Sequence, residues 1–190
     1  MKTPLPSTPC QIPELALSCY GCCGNTFSGK KKVERDIIQN TIEFEEIIGE
    51  ETQNNINFVN QEEHETRLRS FRDRYSGETL GPSGLCLNLV QFKSGCLACP
   101  LHNMINELVP KEETKAPKED LRQLPCDVNY ECKTFKIWAV MGSEQKAEYV
   151  QWLSKRLDSI NHYSYSMGNH DGKYIEQFLK ERNEVFDEEM

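Results

Sequence analysis

Nine cysteines stand in 190 residues, and eight of them fall into three short islands. The first is Cys19-Tyr-Gly-Cys22-Cys23-Gly24. The second runs from Cys86 to His102 and carries Cys86, Cys96 and Cys99. The third holds Cys126 and Cys132. Thiolates separated by two residues, as at Cys19/Cys22 and Cys96/Cys99, can grip one ion, because the turn between them aims both sulfurs inward. Adjacent Cys22 and Cys23 must point in different directions, so they could serve two metals or two corners of a cluster. Eight thiolates could fill two tetrahedral sites or one iron–sulfur cluster with ligands to spare. Soft sulfur suits zinc and iron–sulfur clusters alike. The radical-initiating Cys-x3-Cys-x2-Cys spacing and the bacterial ferredoxin run are both absent. We expect the islands to converge on metal, with Cys19, Cys22, Cys23, Cys86, Cys96, Cys99, Cys126 and Cys132 as ligands. Cys10 is the natural spare, and His102 is the one histidine with a ligand-like neighbourhood. His64, His162 and His170 read as ordinary surface residues.

The elements that must position these sulfurs can be sketched from periodicity. The stretch 1–13 reads as a disordered Pro-rich lead and 14–190 as a single metal-binding domain, with a helical excursion over about 33–75. Val33, Ile37, Ile38, Ile42 and Phe44 recur at helical spacing. Glu50 to Asn60 reads as a loop. A second helix is predicted over 61–75, with Leu68, Phe71 and Tyr75 on its apolar face and Arg67, Arg69, Arg72 and Arg74 turned to solvent. Leu87, Leu89 and Phe92 alternate as in a short strand. Lys93-Ser94-Gly95 then turns the chain back to Cys96, which gives the look of a metal knuckle. Pro100 suits the first position of a helix over 101–109, at whose N-terminus a thiolate at Cys99 would be favoured. The apolar run 135–141 is of undecided type. A helix is predicted after Gly142, carrying Tyr149, Trp152 and Leu153 inward. Residues 161–168 read as an aromatic loop. A last helix follows, capped by Asp171 and burying Tyr174, Phe178 and Leu179. The fold class expected is mostly α with irregular cysteine-bearing loops, a small α+β arrangement whose helices pack around a metal centre.

Bulk composition narrows the partners. The net charge of −8 argues against nucleic acid, since phosphate binding needs a positive footprint. Lys30-Lys31-Lys32 is too short to overturn that sign. The opening residues carry three prolines within the first nine, which break any signal-peptide core. No apolar run reaches the roughly 20 residues of a spanning helix, so no membrane partner is expected. The chain reads as cytoplasmic, where thiols stay reduced and cysteine clusters mean metal or redox chemistry rather than disulfides. No phosphate-cradling loop and no Ser/His/Asp or Cys/His signature is present, so catalytic residues and an organic cofactor stay unassigned.

The islands resemble those of the YkgJ-type zinc- or iron-chelating cysteine-cluster family. The likeness rests on Cys19, Cys22 and Cys23, on Cys86-Leu-Asn-Leu89, on Gly95-Cys96 and Cys99, and on Cys126 and Cys132. It covers the islands and not the helical stretches. It implies a bacterial chelating protein, and in some members of that family a link to flagellin lysine methylation. The function expected is therefore that of a cysteine-rich protein binding zinc or an iron–sulfur cluster, with a protein partner if the site is structural. The alternative is an iron–sulfur or thiol redox enzyme linked to protein modification. A thiol–disulfide oxidoreductase built on Cys96-x-x-Cys99 would leave the other cysteines without a purpose.

Overall fold

A computed structural model describes residue 6, residues 8–49, 60–123 and 126, and residues 130–182. The described residues hold six α-helices and two small antiparallel sheets of two strands each, a small α+β arrangement. The chain divides into two compact units, one made of Met1–Cys22 with Asn129–Met190 and the other of Cys23–Val128.

The first unit is opened by a hairpin. Strand β1 (Gln11–Ile12) pairs with β2 (Leu17–Ser18), and Ala16 takes a left-handed φ of 48° to close the turn. The Pro-rich lead was expected to be poorly ordered, yet from Thr8 onward it is held. The Tyr165 hydroxyl donates to the Pro9 carbonyl at 2.6 Å, and Gln11 and Ile12 are buried. Four helices complete the unit: α3 (Lys133–Val140), α4 (Ser143–Ser154), α5 (His162–His170) and α6 (Lys173–Glu181). Their core is aromatic. Tyr149 meets Trp138, Trp152 and Phe178 at centroid distances of 6.2, 6.1 and 5.4 Å. Phe178, Leu179 and Ile175 share one face of α6 at helical spacing, and all three are buried.

The run 135–141, of undecided type in the sequence, is helical as far as Val140. The stretch 161–168, expected as an aromatic loop, is helix from His162 onward, α5. Asn161 caps it, its side-chain oxygen accepting from the Ser164 N–H at 3.1 Å while the Ser164 hydroxyl accepts from the Asn161 N–H at 2.8 Å. Serine here does the reciprocal work that a glutamate or glutamine does in the usual capping box. The last helix is capped by Gly172 at φ 77° rather than by Asp171.

The second unit pairs α1 (Lys30–Ile48) with α2 (Gln61–Asp73) and with a hairpin, β3 (Val90–Gln91) and β4 (Leu97–Ala98). Phe44 on α1 meets Phe71 and Phe92 edge-to-face at 5.2 and 6.0 Å. Val33, Ile37, Phe44 and Ile48 turn inward as the periodicity predicts, but Ile38 and Ile42 are exposed and Asn40 takes a buried place on that face. The expected loop before Asn60 lies outside the described residues. Leu68 and Phe71 are buried, whereas Tyr75 falls beyond the helix end and is partly exposed.

Arg74 is not a solvent-facing arginine. It lies over the Phe71 ring at 3.9 Å, pairs with Glu43 at 2.7 Å and donates to the Phe71 and Leu87 carbonyls at 2.6 and 2.5 Å. The helix expected over 101–109 does not form; only a short 3-10 turn, Ile105–Glu107, is present. Local side chains compete for its backbone. The Met104 N–H donates to His102 Nδ1 at 3.1 Å, and the Leu101 carbonyl is taken by the Leu121 N–H at 2.9 Å. Asn106 also bridges away to Thr114 and Ala116.

Candidate metal centres

The nine cysteines divide between the units. Cys10, Cys19, Cys22 and Cys132 belong to the first, and Cys23, Cys86, Cys96, Cys99 and Cys126 to the second. None of the nine is in a disulfide.

In the first unit the β1–β2 register carries one step outward, so Cys10 faces Cys19. The Cys19 N–H donates to the Cys10 carbonyl at 2.8 Å. Residues facing each other across an antiparallel pair bring their side chains close on one side of the ladder. Gly21 lets the chain turn to Cys22. A Cβ at that glycine would meet His170 Cβ at 2.5 Å and the Ser166 carbonyl at 2.6 Å. Cys132 caps α3, its Sγ accepting from the Phe135 N–H at 3.4 Å. The start of α3 is tied to the hairpin through α5. The Thr134 hydroxyl donates to the Asn169 carbonyl, and the Asn169 amide reaches the Pro9 carbonyl at 3.5 Å. The Asn169 side-chain oxygen is buried with no hydrogen-bond partner, and the Cys19 thiol donates to the Ser166 carbonyl at 3.9 Å.

The thiols of this group press on one another. Burial pushes Cys10 up to about 12, helped by the Cys22 and Cys132 thiols and opposed by a hydrogen bond from Thr8. Burial raises Cys19 further, again with Cys10 and Cys22 adding to it, while the Gly21 N–H and the Asn169 amide pull down. Cys132 is raised by burial and by Cys22, and is drawn back by the N–H groups at the start of α3. These neighbours therefore resist ionising together, and an added cation would reverse that sign.

The second unit repeats the device. An antiparallel bridge joins Gly24 to Leu85, which sets Cys23 opposite Cys86, and the Cys86 N–H donates to the Cys23 carbonyl at 2.8 Å. Cys99 follows the β3–β4 hairpin, whose turn is closed by Gly95 at φ 85°. Burial pushes the Cys99 thiol well up, with Cys86 and Cys126 adding to it. The nearby Leu101 N–H and the Arg122 guanidinium pull it down. Arg122 is paired with Asp120 at 2.5 Å and places Nη1 4.0 Å from Cys126 Sγ. Cys96 and Cys99 both lie, partly buried, against the apolar cluster around Phe44, Leu68 and Phe92.

Each group carries one exposed thiol, Cys22 in the first and Cys126 in the second. As the side chains stand, no three His, Cys, Asp or Glu groups among the described residues are close enough to hold a metal ion together. The sulfurs are gathered without being closed on one point.

The histidines are placed differently from expectation. His102 spends its Nδ1 on the Met104 N–H. His64 is buried at 3% exposure, with Nε2 2.9 Å from the Lys115 carbonyl. His162 Nδ1 accepts the Ser18 N–H at 3.0 Å, one residue before Cys19. His170 stacks against Tyr130 and meets its hydroxyl at 2.8 Å. Sequence reasoning set Cys10 aside. The signal that would have found it is its position at the head of a two-strand hairpin whose far end is Cys19.

No helix among the described residues is long and apolar enough to cross a membrane. Comparison with family models, curated proteins and solved structures yields no match.

Proposed function

We propose that this chain is a thiolate metal-binding protein that holds zinc ions or iron–sulfur clusters. The observation that carries the reading is the gathering of thiols in facing pairs. Cys19 lies opposite Cys10 and Cys86 opposite Cys23 across antiparallel bridges, and the Cys132 sulfur accepts the Phe135 N–H at 3.4 Å. Burial and the neighbouring thiols both disfavour the anions there, so the arrangement calls for a compensating positive charge. A bound metal supplies that charge and keeps the thiols deprotonated. The donor set fits in kind: sulfur only, soft, and in numbers that suit tetrahedral zinc or a cluster.

Closure by four sulfurs would leave no open position, which makes the role structural and the protein a binding module for a protein partner. The resemblance to YkgJ-type chelating proteins points the same way. The alternative, an iron–sulfur or thiol redox enzyme linked to protein modification, is favoured by the exposed Cys22 and Cys126, through which a reactant could reach each group.

Anaerobic purification followed by a visible spectrum and elemental analysis tests the reading. Zinc with no colour, or iron and sulfide with broad visible absorption, supports it and separates its two forms. A chain that carries neither and takes up neither Zn(II) nor reconstituted iron and sulfide overturns it.

A further inference from the structure

We propose that the chain builds two independent four-sulfur centres, one from Cys10, Cys19, Cys22 and Cys132 and the other from Cys23, Cys86, Cys99 and Cys126, with Cys96 left outside both. The proposal rests on the metal-binding reading above and adds the partition of ligands. Three observations of geometry carry it.

First, each unit contains one cysteine pair set face to face across an antiparallel bridge, joined in both cases by an N–H to carbonyl bond of 2.8 Å. Facing positions bring two sulfurs to the same side of the ladder, which is half of a tetrahedral site. Cys10, outside the cysteine islands, is thereby the partner of Cys19.

Second, each pair is met by a distant cysteine that the fold delivers. In the first unit, Asn169 ties the start of α3, and so Cys132, to Pro9, the residue before Cys10. Its carbonyl accepts from the Thr134 hydroxyl and its amide donates to the Pro9 carbonyl at 3.5 Å. In the second unit, the Leu121 N–H to Leu101 carbonyl bond at 2.9 Å lays the 120–122 segment beside the Cys99 turn. It brings Arg122 to Cys126 at 4.0 Å.

Third, Cys22 and Cys23 are adjacent but fall in different units. Cys96, which packs beside Cys99 against the apolar cluster of the second unit, has no cysteine facing it across a bridge among the described residues. The thiols that bear on Cys99 are Cys86 and Cys126 rather than Cys96, so the expected Cys96-x-x-Cys99 chelate is replaced by one in which Cys99 is a ligand and Cys96 is not.

Single Cys→Ser variants at all nine positions, purified anaerobically, are read by native mass spectrometry, which weighs zinc ions and iron–sulfur clusters alike. The wild type is expected to carry two centres. Each of the eight ligand variants is expected to carry one, and Cys96→Ser is expected to keep two. Retention of both centres in Cys10→Ser, loss of one in Cys96→Ser, or loss of both from a single substitution overturns the partition while leaving metal binding intact. A wild type without metal overturns the underlying reading and the partition with it. Where a variant does not fold, the wild type serves instead, labelled with N-ethylmaleimide and mapped by peptide mass spectrometry. Modification at Cys96 with protection at Cys10 is expected; the reverse pattern overturns the partition.

Discussion

The Cys86 N–H donates to the Cys23 carbonyl at 2.8 Å, and that bond holds two cysteines 63 positions apart in the chain opposite each other. It is maintained by backbone on both sides. Asn25 donates to the Gly84 carbonyl at 2.8 Å, and the Leu87 N–H reaches the Thr79 carbonyl at 2.9 Å.

Gly84 is the position where this arrangement is least tolerant. Its φ is 81°, and a Cβ there would meet the Asn25 carbonyl oxygen at 2.1 Å. Gly84→Ala must strain the backbone and push the bridge open, at a cost of about 2–4 kcal/mol. Gly95 has a similar φ of 85° but nothing within 4 Å of an added Cβ. Gly95→Ala should therefore cost only the left-handed term, about 1–2 kcal/mol. Urea denaturation of the two variants measures the difference, and equal losses would remove the steric argument.

Asn40 fixes the other flank of Cys86. It is 2% exposed, and its amide donates to the Cys86 and Leu89 carbonyls, both at 3.1 Å. Asn40→Ala leaves two carbonyls without this donor and should lose about 2–3 kcal/mol of stability. The neighbouring Arg74→Met change strips donors from the Phe71 and Leu87 carbonyls and takes the cation from the Glu43 carboxylate, which keeps the Tyr75 hydroxyl and the Gln39 amide as donors. It should cost about 2–3 kcal/mol. Arg74 Nη2 also bonds the Asn40 side chain at 3.3 Å, so the double variant should lose less than the sum of the single losses.

Acid should weaken the second unit through His64. Its Nε2 faces a carbonyl and must carry the proton, and its buried Nδ1 has no partner. Burial lowers its pKa, with the Lys115 carbonyl opposing. A histidine whose folded pKa lies below its unfolded value contributes its stability in full above the unfolded pKa, about 6.5, and loses it as pH falls through the lower folded value. His64→Gln keeps a donor for Lys115 and removes the titration. The wild type should lose more stability than the variant between about pH 6.5 and 5. Parallel curves would show that His64 is not the group responsible.

Arg122 should set the acid resistance of one metal group and not the other. Burial pushes Cys99 up, and the guanidinium counteracts it while contacting Cys126. Protons compete with metal for thiolate, so raising the thiol pKa moves metal loss to higher pH. Arg122→Gln should raise the pH of half-release for the Cys23/Cys86/Cys99/Cys126 group by about 0.5–1 unit. Release from the Cys10/Cys19/Cys22/Cys132 group should stay where it was. Release followed with a zinc indicator or by cluster absorbance separates the two, and a shared shift would contradict the assignment of Arg122 to one group.

Helical periodicity alone determined α1, α2, α4 and α6, because burying one face of a helix writes apolar residues at fixed intervals. Composition and cysteine spacing point to the thiols as the carriers of the proposed chemistry. What the sequence could not express was which cysteines are neighbours. Cys96 and Cys99 carry the familiar two-residue gap, yet the thiols that bear on Cys99 are the distant Cys86 and Cys126. Cys10 sits among prolines and looks idle, yet its ladder position faces Cys19. The proline at 100 promised a helix, but His102 takes the Met104 N–H and the Leu121 N–H takes the Leu101 carbonyl. Asn161 and Ser164 cap a helix that no apolar stripe announced. The cysteine pairings depend on long-range register, decided only when distant segments meet. The lost and gained helical turns depend instead on local side-chain competition for backbone hydrogen bonds, which apolar periodicity does not record.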